Sequence, residues 1–113
     1  MKIVIANDDY FDDIWLIFNA VVSRGDTYVY LPNTTKKDAY RIWMIRPLST
    51  YICLNNDNKV IGTYYIKSNY EGLGSHVCSC GYMVHPNFRR QGVASYMCQD
   101  SQLKSKQMGF IQY

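Results

Sequence analysis

The chain has 113 residues, of which 48% are hydrophobic and 19% charged, a globular composition with enough length for one core and no second domain. Its formal net charge of +3 is not gathered into a basic stripe, which argues against nucleic-acid binding, and no apolar run approaches the roughly 20 residues of a membrane span. The opening apolar run stops at Asn7-Asp8-Asp9, too short for the apolar region of a signal peptide, so a soluble cytoplasmic protein is expected.

Residues 2–6 read as a strand. Asp8 or Asp9 then caps a helix running to about residue 24, with Ile14, Ile17, Phe18, Val21 and Val22 on one face and Gly25 closing it. Residues 26–33 form an aromatic loop. Thr35, with Asp38 three residues on, is a capping-box start for a second helix that carries Ala39, Ile42, Trp43 and Ile45 and is ended by Pro47. Residues 50–54 and 59–67 are β-branched, apolar runs separated by Asn55-Asn56-Asp57-Asn58, a hairpin signal. Gly72 and Gly74 mark the next turn, and residues 76–84 make the third run of an antiparallel meander. Residues 93–108 form a helix with Ala94, Met97, Leu103 and Met108 as its inward stripe, and residues 110–113 start another strand. The order predicts a mixed α/β (α+β) domain over residues 1–113, a mostly antiparallel central sheet flanked by helices.

Cys53, Cys78, Cys80 and Cys98 fall in predicted strands and a helix, which suits reduced, buried thiols better than a disulfide framework. Cys78 and Cys80 share one face of their strand with His76, but no second Cys or His pair stands at ligand spacing, so no metal is expected. The 11 tyrosines read as strand and core-edge residues whose hydroxyls reach water or a partner. Trp15 and Trp43 sit on helical stripes and read as core.

The most informative stretch is residues 81–94, where an apolar strand meets a helix through Val84-His85-Pro86 and Arg89-Arg90-Gln91-Gly92-Val93-Ala94. Pro86 fixes its own φ and holds His85 extended, so the strand cannot continue as a helix. The helix that opens next has unpartnered N–H groups and the positive end of its dipole facing the turn. Gly92 lets a ligand oxygen approach the backbone, so the turn suits an anion such as phosphate. Three or four charge-assisted hydrogen bonds of about 1.5–3 kcal/mol each would hold a pyrophosphate at micromolar affinity or better. The same features also suit an ordinary strand–helix connection with solvated arginines.

The order of strand, Val84-His85-Pro86, Arg89-Arg90-Gln91-Gly92-Val93-Ala94 and amphipathic helix resembles the coenzyme A signature Gln/Arg-x-x-Gly-x-Gly/Ala of the GNAT superfamily of N-acetyltransferases, with Arg89, Gly92 and Ala94 in its three places. The resemblance implies acetyl-CoA as cosubstrate, no metal, and transfer of acetyl to an amine acceptor, a small molecule or peptide. It implies that backbone groups of Met83 and Val84 hold the pantetheine arm and polarise the thioester. It further implies that N–H groups of Arg89, Arg90, Gln91, Gly92, Val93, Ala94 and Ser95 cradle the pyrophosphate, with the side chain of Arg89 or Arg90 toward the 3'-phosphate. The loop at residues 26–30 is similar to the segment bordering the acceptor in such enzymes.

No catalytic residue is evident. Relatives place a glutamate on the fourth strand to relay the amine's proton, whereas residues 76–83 hold no carboxylate. His85 reads as a solvated turn residue and Glu71 as a solvated loop carboxylate. In the superfamily the strand starting at Phe110 is followed by a further helix and strands, so the chain reads as lacking the C-terminal part of the fold. An unpaired edge there leads to the expectation of self-association, as a homodimer or by exchange of elements. The alternatives to an acetyltransferase are a coenzyme A binding module without the chemistry and a fragment that binds nothing.

Overall fold

The computed structural model describes residues 1–25, 30–68 and 78–110. Four strands, β1 (Lys2–Ile5), β2 (Ser49–Leu54), β3 (Val60–Ser68) and β4 (Cys78–Val84), form one antiparallel sheet in the order β1-β2-β3-β4. Helices α1 (Phe11–Val22) and α2 (Lys36–Tyr40) cover one face, and α3 (Val93–Gln107) covers the other. No helix among the described residues is long and apolar enough to cross a membrane. The expected closing strand and the expected self-association rest on residues 111–113, which lie outside the described residues, as do Glu71, Gly72, Gly74, His76 and most of the 26–30 loop.

The first helix starts later than its acidic cap suggested. Asn7 accepts the Asp9 N–H at 3.0 Å and caps a 3-10 turn, Asp8–Tyr10, and α1 follows it. Its inward face is Phe11, Ile14, Ile17, Phe18 and Val22, at the three- and four-residue spacing that an amphipathic helix requires. Thr35 caps α2 as expected, accepting the Asp38 N–H at 3.1 Å.

Beyond α2 the chain widens into a single π turn, Arg41–Ile45, in which the Arg46 N–H donates to the Arg41 carbonyl at 2.9 Å. That wider turn changes which residues face inward. Trp43 is fully buried, whereas Ile45, expected inside, is 61% exposed. The indole Nε1–H of Trp43 donates to Thr63 Oγ1 at 2.9 Å, and Thr63 Oγ1 donates to the Tyr51 carbonyl at 2.8 Å. Thr50 Oγ1 donates in turn to the Trp43 carbonyl at 2.5 Å. The indole N–H and the Thr50 and Thr63 hydroxyls thereby each have a partner, which offsets the desolvation cost of burying them.

The β2–β3 pairing has one irregularity that sets up the far face. Cys53 pairs with Gly62 and Leu54 with Val60, leaving Ile61 as an extra residue, so the strand turns its side chains over at that bulge. Gly62 then faces α3, and a Cβ placed there would fall 2.9 Å from both Met97 Cε and Val93 Cγ1. The missing side chain lets the first turns of α3 sit directly on β3.

The inward stripe of α3 is Val93, Met97, Ser101 and Ser105, and this corrects the expected one. Of the predicted stripe only Met97 is buried, while Ala94 and Met108 are exposed and Leu103 is 62% exposed. The reason is the layer below. The Tyr51 and Tyr64 rings stack, the Tyr82 ring tilts against Tyr64, and tyrosine hydroxyls that lie under a helix need polar partners. Tyr64 donates to Asp100 at 2.6 Å, Tyr82 shares a 2.5 Å hydrogen bond with Ser101, and the Ser105 hydroxyl accepts from Cys78 Sγ at 3.4 Å. Burial followed by the Asp100 bond pushes the Tyr64 hydroxyl well above the usual tyrosine range. All four cysteines are free thiols.

Candidate functional site

The exit of β4 is built around His85 and Pro86. His85 has φ −56° and ψ 132°, the extended geometry that a following proline imposes. Its N–H donates to the Ile61 carbonyl at 2.8 Å, and its Nδ1 accepts the Asn87 N–H at 3.1 Å, capping the 3-10 turn Pro86–Phe88. The expected solvated histidine is therefore a buried one, 7% exposed and edge-on to Phe88. Its position in the sequence resembles a turn, and only the packing of Phe88 and the β3 bulge shows that it is enclosed.

Burial lowers the His85 pKa below its ordinary 6.5, with a smaller contribution from the nearby Lys59 charge. The unfolded chain therefore takes up the proton first, so stability should be flat above about pH 6.5 and fall as pH drops below it. Thermal melting across that window tests this. His85→Gln should flatten the slope there, and an unchanged slope would assign it to other groups.

The turn that follows leaves regular geometry twice. Arg90 has φ +62° and Gly92 φ +81°, either side of Gln91. A residue with a Cβ held at positive φ costs on the order of 1–3 kcal/mol, and such residues concentrate where a ligand is held. Backbone turned this way makes concavities of N–H groups that take anions. Gly92 caps α3 with no side chain, so the N–H groups of the first turn receive no side-chain acceptor from the cap. A Cβ at Gly92 would meet nothing within 4 Å, so its backbone angle, not packing, demands glycine there.

Val84, Phe88, Arg89, Arg90, Gly92, Val93, Ala94 and Ser95 line one hollow of about 360 Å³. Seven of the nine residues singled out from the sequence thus come together. Gln91 lines a neighbouring hollow with Asn55, Asn56 and Ile61, and the Met83 side chain is buried on the opposite face of β4, in the α1 core. Arg89, Arg90 and Gln91 precede α3, which begins at Val93 as expected, so their N–H groups belong to the turn and not to the first turn of the helix. Phe88 was not foreseen as a wall; an aromatic between the proline and the arginine pair was the available signal. Among the described residues no carboxylate stands within ion-pair range of Arg89 or Arg90, so the hollow is uniformly positive. No group of three His, Cys, Asp or Glu that could hold a metal occurs among the described residues.

On the other face of β4, the Tyr65 ring lies against Gly81, its cross-strand partner. A Cβ on Gly81 would fall 2.5 Å from Tyr65 Cε2 and 2.9 Å from its hydroxyl oxygen. Trp43 meets the same ring edge-on at 4.7 Å and meets the Tyr30 ring edge-on at 6.5 Å. Gly81→Ala should displace Tyr65 and destabilise the fold by about 1–3 kcal/mol, as overpacking does. Urea unfolding reads this directly, and a change below about 0.5 kcal/mol would show that the ring moves freely.

Comparison with known proteins then identifies the lineage. The model of the acetyltransferase (GNAT) family matches residues 9–112. The chain belongs to the GNAT family of acetyltransferases. A GCN5-related N-acetyltransferase from Kribbella flavida superposes with a TM-score of 0.88 at 32% identity, covering 96% of this chain and 67% of that one. A GNAT superfamily phosphinothricin acetyltransferase from Sinorhizobium meliloti, solved in complex with AcCoA, superposes with a TM-score of 0.79 at 16% identity over 96% of this chain and 61% of that one, a likeness of fold. The N-acetyltransferase aca1 of Schizosaccharomyces pombe is 44% identical over 34 residues, 30% of this GNAT chain and 16% of that protein. The chain spans about two thirds of the length of these solved GNAT structures.

Proposed function

We propose that this GNAT chain binds acetyl-CoA along the turn from Val84 to Ser95 and serves in the transfer of its acetyl group to an amine. The observation that carries the reading is the turn itself: left-handed φ at Arg90 and Gly92 opens the backbone into a positively charged hollow at the end of β4 and the start of α3. The open space in front of Gly92 fits a pyrophosphate, which any side chain there would obstruct. The N–H groups of residues 89–95 hold that pyrophosphate, and Arg89 or Arg90 meets the 3'-phosphate. Backbone groups of Met83 and Val84 hold the pantetheine arm against β4 and orient the thioester carbonyl. Acetyl-CoA supplies the activated acetyl group. Transfer forms the amide C–N bond and breaks the thioester C–S bond, and the proton lost by the amine balances the one taken up by the thiolate.

Thermal stability with acetyl-CoA, coenzyme A and ADP tests the reading. A ligand at about 100 times its Kd should add roughly 2.7 kcal/mol, and the shared pyrophosphate should make all three stabilise the protein. No shift with any of them overturns it. A second reading, a coenzyme A binding module without turnover, is favoured by the composition of β4, Cys-Ser-Cys-Gly-Tyr-Met-Val, which offers no carboxylate as proton relay. Thiol release across an amine panel separates the two.

A further inference from the structure

On the face of the sheet opposite α3 lies a second charged hollow, of about 250 Å³, whose lining includes Tyr30, Thr34, Asp38, Arg41, Ile42 and Arg46. Two observations set it apart from an ordinary stretch of arginine-bearing surface. The first is how the two arginines come to share it. Five residues apart on an α-helix they would point about 140° away from each other. The π turn stacks residue i over residue i+5 instead, with the Arg46 N–H bonded to the Arg41 carbonyl, so both side chains line one hollow. Single π turns of this kind recur at functional sites.

The second observation is where the hollow leads. Tyr30 lines it and packs edge-on against Trp43, Trp43 packs edge-on against Tyr65, and the Tyr65 ring lies on Gly81 of β4, two residues before Met83. The hollow is therefore joined through Tyr30, Trp43 and Tyr65 to the strand assigned to the thioester. Its charge is unbalanced. Arg41 meets Asp38 only at 3.9 Å, and among the described residues no carboxylate stands within ion-pair range of Arg46. Burial raises the pKa of the Tyr30 hydroxyl, and the Arg46 charge opposes that rise.

We propose that this hollow is the acceptor pocket and that Arg46, with Arg41, binds an anionic group on the amine, a carboxylate in the simplest case. The inference deepens the acetyltransferase reading and rests on it. A guanidinium holds a carboxylate through two parallel hydrogen bonds, which fixes the orientation of a small substrate as well as its affinity. A carboxylate held at Arg46 leaves the amine end of an acceptor of amino-acid size to extend past Tyr30 and Tyr65 toward β4.

The test is calorimetric titration of the full chain, loaded with coenzyme A, with alanine, methionine and glutamate and with their α-carboxamides. The acids should bind about tenfold or more tightly than the amides. Arg46→Gln should bring that ratio close to one, and Arg46→Lys should retain part of it; Arg46 is exposed, so neither change disturbs the core. Equal binding of acids and amides, or a preference that survives Arg46→Gln, overturns the inference. A coenzyme A thermal shift without acid selectivity overturns this inference alone. Acid selectivity without that shift overturns the acetyl-CoA reading alone, and absence of both overturns both.

Discussion

Gly92→Asp should abolish the stabilisation by acetyl-CoA, from roughly 2.7 kcal/mol at about 100 times the Kd to none measurable. Two effects act at this position and they are separable. Any side chain must adopt φ +81°, which costs on the order of 1 kcal/mol of folding stability. Aspartate and asparagine tolerate that conformation about equally well, so this cost is common to both. What differs is charge. The new Cβ would point into open space in front of α3, where a carboxylate would stand against the phosphates in a hollow now lined by two arginines. Gly92→Asn should therefore weaken binding and Gly92→Asp remove it, read by melting temperature with and without ligand. An Asp variant that binds as the parent does would refute the cradle.

Trp43→Ala should cost about 3–5 kcal/mol, a large share of the 5–15 kcal/mol expected for a domain. Trp43 packs against Phe18, Tyr30 and Tyr65, and it links the Thr63 hydroxyl to the backbone of the π turn. Truncation opens a cavity between the helices and the sheet and strips Thr63 of its donor. Trp43→Phe keeps part of the volume and loses the indole N–H, so its cost should be clearly smaller. Urea unfolding monitored by circular dichroism gives both values. A Trp43→Ala cost below about 1 kcal/mol would show that this layer is not the core.

The turn between β4 and α3 was readable because its signal is local. Pro86, the arginine pair and Gly92 each constrain the backbone by their own covalent chemistry, and their spacing survives whatever packs around them. The hairpin at Asn55 to Asn58 was readable for the same reason, and Asn58 does take φ +61° there. The cap at Thr35 followed from one hydrogen bond between residues three apart.

The failures share the opposite property. The α3 stripe went wrong because its inward residues include two serines that answer polar groups of β4, Ser101 the Tyr82 hydroxyl and Ser105 the Cys78 thiol, and no periodicity of apolar residues records that. Ile45 was placed inside on an α-helical period that the π turn breaks. His85 was read as solvated because its enclosure depends on Phe88 and on the bulge at Ile61. The second hollow was invisible for a like reason. Arg41 and Arg46 are five apart in sequence, a spacing with no meaning until a π turn stacks them beside Tyr30.

By itself, the sequence determined the family, the mixed helix-and-sheet architecture and the irregular turn between β4 and α3, since these rest on backbone preferences of residues within a few positions of one another. Only the tertiary structure decided which polar groups are enclosed, which face of α3 meets the sheet, and that two arginines on the α2 side share one hollow with Tyr30. Those outcomes depend on partners distant in the chain, which meet only when burial of the core brings the strands and helices together.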